Sequence, residues 1–195
     1  QTNIEGLFAV GEAAASHGVY RPGGTALNAG QVGSTRAAQH IAARRRGEAP
    51  AHFTREARRA LVEMDTLARQ CSAPTGNVRT LWREAGQAMS RCGAAIRNIR
   101  QISTYCGQVE DLLNHFAQRV TASNPAELGM VFRLRDMLMS QAAYLTAMLD
   151  YTARGGKSRG SALYTDPNGT KPYPVLPDTF TYTLEQDSEN RIQEL

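Results

Sequence analysis

From Val78 to Val120 the chain repeats apolar side chains at helical spacing: Val78, Leu81, Trp82, Ala85, Met89, Cys92, Ile96, Ile99, Cys106, Val109, Leu113, Phe116, Val120. A seven-residue rhythm of this kind belongs to a helix buried along one seam, and such a seam needs partners. Gly93 interrupts it, and glycine inside a helix costs ~1 kcal/mol against alanine, so a break or kink is expected there. Two further helices flank the run. The first starts at Thr54, which can cap, and carries Ala57, Ala60, Leu61, Met64, Ala68 and Cys71 on one stripe before Ser72–Gly76 stops it. The other starts with Asn124 as cap and Pro125 in the first turn, carries Leu128, Val131, Phe132, Leu138, Ala142, Leu145, Met148 and Leu149, and stops at Gly155-Gly156. The expectation is a mainly α protein: a three-helix bundle over residues 48–165, preceded over 1–47 by a strand-loop-helix segment. A Pro-rich tail over 166–195 follows, with a short strand in the alternating run Thr179–Leu184 and a frayed polar end from Glu185.

Composition narrows the function classes. A chain of 195 residues has enough material for one domain with a core. The net charge of +4 is mild, and Glu56, Glu63, Asp65, Glu84, Glu110 and Asp111 interrupt the arginines, so no nucleic-acid partner is expected. The basic run Arg44-Arg45-Arg46-Gly47 reads as a solvated helix end that complements the dipole. Three cysteines without a C-x-x-C pattern read as reduced, cytosolic thiols, and Cys92 and Cys106 sit on the apolar stripe, where burial is expected. His40, His52 and His115 have no partners at metal-ligand spacing, so no metal site is expected. No apolar run approaches the length of a membrane span, which points to a cytoplasmic protein, at most peripheral to a membrane complex.

The candidate site lies in Gly6–Gly33. Leu7-Phe8-Ala9-Val10 reads as a buried strand that stops at Gly11-Glu12. An acidic side chain past a strand end, Glu12, suits sugar or ribityl hydroxyls. Gly23-Gly24 lets backbone N–H groups approach a ligand, and the helix that starts near Thr25 offers unpaired donors at Ala26 and Leu27. Arg21, between Tyr20 and Pro22, offers a planar fork for a carboxylate. The plain alternative is that Glu12 caps a helix, Arg21 is a surface charge and the glycines only make turns.

The stretch G-L-F-A-V-G-E-A followed by H-G-V-Y-R-P-G-G-T-A-L resembles the C-terminal FAD-binding segment of the succinate dehydrogenase/fumarate reductase flavoprotein family. The bundle resembles that family's helical domain, in the same order. Its counterparts are L-W-R-E-A-G-Q-A-M, C-G-A-A-I-R, Arg135–Ala142 and Lys157–Tyr164. The resemblance implies that Glu12 contacts the ribityl part of FAD and that Gly24, Ala26 and Leu27 line the flavin through their backbone. Arg21 would grip a carboxylate substrate, and His17 would shape the loop beside it. Tyr20, Pro22 and Thr25-Ala26 depart from the family pattern and bear on the substrate end more than on the flavin.

The chain has no G-x-G-x-x-G to hold a pyrophosphate, and the resemblance is to the C-terminal part of the family alone. The expectation is therefore the end of an FAD-binding domain plus the helical domain of an oxidoreductase that passes a hydride between flavin and a carboxylate-bearing substrate. By itself this piece would be inactive and hold no FAD, with no catalytic residue of its own. Its partners would be the small carboxylate substrate, the missing N-terminal FAD-binding domain and an electron-transfer subunit. The alternative is a non-catalytic helical protein-interaction module.

Overall fold

The computed structural model describes residues 1–14, 24–44, 51–159 and 162–184. The chain divides into two compact units, Gln1–Ala57 and Arg58–Leu195, and the division falls within the second long helix. Six α-helices and two strands occur among the described residues. The helices are α1 (Thr25–Arg44), α2 (Phe53–Gln70), α3 (Val78–Cys92), α4 (Ile99–Asn114), α5 (Phe116–Arg119) and α6 (Pro125–Ala153). The strands are β1 (Ile96–Arg97) and β2 (Leu163–Thr170), so the protein is mainly α.

In the first unit, Leu7–Val10 forms no strand, contrary to the sequence expectation. Leu7 is half exposed at 51%, and its N–H donates to Ile4 O within a tight turn at 3.2 Å. A strand needs a hydrogen-bonded neighbour, and no other strand is present among the described residues of this unit. Gly11–Ala14 instead forms a 3-10 turn that packs on α1. The small-residue helix expected after Thr25 is α1, and it buries none of its residues.

The second unit is built on α6. Its inward positions, Val131, Leu134, Leu138, Gln141 and Leu145, alternate at spacings of three and four and form one face. Helix α4 packs against α6 through Ile102, Tyr105, Cys106 and Val109, and α3 packs against α6 as well. The seam of α3 is Val78, Ala85 and Cys92, one residue per heptad. Burying a Leu or Ile side chain contributes about 1.5–3 kcal/mol, so these few residues dominate the stability of the unit.

The long run from Val78 breaks at Gly93, where the glycine N–H donates to Met89 O at 2.8 Å and closes α3. Beyond that point the expected single helix is two. Ile96 lies in β1 and Ile99 opens α4, and both are exposed rather than on the seam. Asn98 is responsible: its side chain accepts from the N–H groups of Arg100 and Gln101 and starts a new helix. The third expected helix is α6, with Asn124 accepting from Glu127 N at 3.1 Å and Pro125 in the first turn. The first expected helix is α2, but only its end joins the core. Cys71 is fully buried and Leu67 packs on the cluster, whereas Leu61 (64% exposed) and Met64 face outward. The end of α2 is held because Ala122 N donates to Cys71 O at 2.7 Å and the Asn77 carboxamide bridges Arg119 O and Thr121 N.

The tail is paired, though not as one regular strand. Tyr182 bridges Thr165 and Thr170, and Leu184 bridges Ser158. Gly169 is required here by close approach: a Cβ at this position would meet the Tyr182 backbone at 2.4 Å. The segment from Glu185 lies outside the described residues.

Two outcomes test this core. Leu145→Ala empties a fully buried position between packed helices and should lower unfolding stability by about 2–5 kcal/mol, read by urea denaturation. The Glu127 carboxylate accepts from Ser123 N and Ser123 Oγ at 2.9 Å and from Arg79 Nε at 3.0 Å, which holds it below its ordinary 4.5. A depressed carboxylate stabilises the fold above its unfolded value and loses that contribution as pH falls through the folded one. The melting temperature of the parent chain should therefore exceed that of Glu127→Gln at pH 7, and the gap should close in a titration below pH ~4.

Candidate functional site

The residues expected around a flavin fall on both sides of an undescribed stretch. Arg21 and His17 lie outside the described residues, so only Glu12, Gly24, Ala26 and Leu27 have a geometry. Glu12 is exposed in the 3-10 turn. Gly11 beside it has φ +64, and a Cβ built on Gly30 of α1 would lie 3.8 Å from the Gly11 Cα. Ala26 lies one helical turn before Gly30 on α1 and is half-buried, while Leu27 is 79% exposed. Gly24 is an exposed turn residue whose carbonyl accepts from Asn28 N. Thus the turn that carries Glu12 packs on the helix that Ala26 and Leu27 begin, with all three residues accessible or partly so.

A concavity of about 380 Å³ opens between residues 8–14 and α1, and none of Glu12, Gly24, Ala26 or Leu27 lines it. Phe8 and His40 lie there as a tilted ring pair, centroids 5.6 Å apart, with Gly33 and Arg36 alongside. Sequence reading missed this pair, because nothing local couples a loop residue to a helix so far along the chain.

The two motifs at the end of the bundle are brought together. Parallel strands β1 and β2 pair in the register Ile96↔Leu163 and Arg97↔Tyr164, so the last two residues of C-G-A-A-I-R lie beside Leu163-Tyr164, the last two of the other motif. Ser158, 1% exposed, clamps the junction: its Oγ accepts from Tyr164 N at 2.8 Å and donates to Tyr164 O at 3.1 Å. The Arg97 guanidinium stands 5.4 Å from the Tyr164 ring centroid and donates to its hydroxyl at 3.0 Å. Asn98 and Thr165 exchange a further contact, and Thr165 Oγ1 donates to Arg97 O. Asp166, just beyond, accepts from the Thr183 hydroxyl and from Asn168 N, which hold its carboxyl below the usual range.

The family of contacts around Gln141 is internal. Tyr105 Oη lies 2.6 Å from Gln141 Oε1 and 2.9 Å from Ala85 O, and burial pushes the phenol up to about 12. Gln141 Nε2 also donates to Ala85 O, so this buried polar set is satisfied within the core. All three cysteines are buried free thiols, each pushed up by burial. Among the described residues no group of three or more His, Cys, Asp or Glu could hold a metal ion. No helix among them is long and apolar enough to cross a membrane.

Comparison with family models, with curated proteins and with solved structures finds no match to this chain.

Two substitutions separate the clamp from the ring contact. Ser158→Ala leaves a buried Tyr164 N–H unpaired and should cost about 1–3 kcal/mol in urea denaturation. Tyr164→Phe keeps the ring under Arg97 and removes one hydrogen bond, with an expected cost of about 0.5–1.5 kcal/mol.

Proposed function

We propose that the chain is the C-terminal part of an FAD-dependent oxidoreductase of the fumarate reductase/succinate dehydrogenase type. The observation that carries the reading is the register of β1 on β2. The two bundle segments that resemble the family's helical domain, far apart in sequence, are neighbours in one sheet. The resemblance places both segments in one domain, and their pairing agrees with that. The N-terminal unit adds an accessible acid, Glu12, on a turn packed against a glycine-containing helix start.

In this reading FAD supplies the hydride chemistry, and the chain's own groups bind and orient. Glu12 would accept hydrogen bonds from ribityl hydroxyls. The amides of Gly24, Ala26 and Leu27 would face the flavin at the start of α1, where N–H groups lack intrahelical partners. Arg21, with His17 shaping its loop, would hold the substrate carboxylate and offset charge that develops on it. The groups that bind the pyrophosphate would come from residues preceding this segment, and an electron-transfer subunit would complete the redox partner set. The cytoplasmic location and the small carboxylate substrate belong to the same proposal.

The test is Arg21→Ala in a protein that also carries the dinucleotide-binding residues. A charge-assisted contact of ~1.5–3 kcal/mol corresponds to a fall of roughly 10- to 150-fold in kcat/KM on a carboxylate substrate. Bound flavin, read by absorbance, should stay near the parent level. Loss of flavin with unchanged turnover per flavin would remove Arg21 from the substrate site.

A further inference from the structure

Helices α3 and α4 each pack on α6 and leave a groove between themselves. One end of it, of about 340 Å³, is lined by Ala88, Arg91 and Cys92 from α3 and by Arg100, Gln101, Thr104, Tyr105 and Gln108 from α4. Two arginines and no acidic residue line it. An adjoining hollow of about 500 Å³ shares Ala88, Arg91, Tyr105 and Gln108 and continues over Leu81, Ala85, Val109 and Leu112, with Glu84 and Arg119 also in its lining. Arg119 is engaged by Asp111. Neither Arg91 nor Arg100 has an acidic partner among the described residues, and both are exposed. Arg91 lines both hollows.

Gln108, like Arg91, lines both hollows. The first adds Arg100 and Gln101, and the second adds the aliphatic residues Leu81, Ala85, Val109 and Leu112 together with Glu84 and Arg119. The two hollows fall within the size range of small-molecule sites. Arginine forks match a carboxylate bidentately, and the aliphatic lining suits an aliphatic chain rather than a sugar or a nucleotide. We propose that the α3–α4 groove binds a small anionic amphiphile, a carboxylate headed toward Arg91 and Arg100 with its hydrocarbon chain laid along Ala85, Ala88 and Leu112. This assignment is independent of the flavin reading, since none of the flavin-facing residues takes part.

Decanoate, kept below its micelle concentration, is the probe, and decan-1-ol is its neutral counterpart. With the full chain, decanoate should bind saturably in calorimetry and shift backbone amide resonances mainly in Ala88–Cys92 and Arg100–Gln108. Decan-1-ol should bind at least about tenfold more weakly, because it cannot accept from the guanidinium groups as a charged partner. The double variant Arg91→Gln/Arg100→Gln alters exposed positions only and should lose at least about tenfold in decanoate affinity while keeping the parent circular dichroism. The proposal is overturned if decanoate does not saturate, if its resonance shifts fall elsewhere, or if the acid and the alcohol bind alike. Undiminished binding by a folded double variant overturns it equally. The comparison of acid with alcohol uses the unmutated chain and remains decisive if the variant misfolds.

Discussion

The dry face of α6 is the constraint from which the rest of the second unit follows. Val131, Leu134, Leu138 and Leu145 must leave water together, and a single helix cannot hide them. Helices α3 and α4 supply the cover. The position of β1 is then set, because it is the short link between those two helices. Strand β2 follows α6 and arrives beside β1. The register that aligns Arg97 with Tyr164 is thus a consequence of the helical packing, fixed locally by the Ser158 hydroxyl. A strand of two residues with a single partner would be marginal without the bundle beside it.

Polar groups within this dry framework are accounted for by pairing. Tyr105, Gln141 and the Ala85 carbonyl share a hydrogen-bonded set, and the small side chain of Ala85 accompanies the approach of the phenol to its carbonyl. Such a set adds little net stability, but shifting α4 against α3 or α6 would leave its members unpaired in a low-dielectric interior. It therefore fixes alignment where aliphatic contacts alone would tolerate sliding.

What could be read from the residues follows from range. The seam of α3, the cap and first turn of α6 and the stop at Gly93 depend on neighbours within a turn or two, and each was legible. Ile96 and Ile99 were not, because a β-branched residue fits a helical stripe and a strand equally well, and only the Asn98 side chain decides. Leu61 and Met64 carry the right spacing for burial, yet spacing says which face is apolar and not whether anything covers it. Strand β2 contains Asp166-Pro167-Asn168-Gly169, where Asn168 N donates to the Asp166 carboxylate and Thr165 and Thr170 on either side both bridge Tyr182. In the candidate site, the turn at Glu12 was visible from its glycine, whereas the strand before it failed for want of a neighbour. The Phe8–His40 ring pair depends on a loop meeting a helix, which no local pattern announces.

The three cysteine side chains have a use that burial alone supplies. They follow α2, close α3 and lie within α4, and none forms a disulfide. Each is more than nine-tenths buried, so full access for a thiol reagent requires the surrounding segment to open, and a pKa raised by burial suppresses the reactive thiolate further. The rates at which Cys71, Cys92 and Cys106 are alkylated would therefore rank the local opening free energies of three segments of one bundle. The unmodified chain carries its own set of site-resolved clocks for breathing motions.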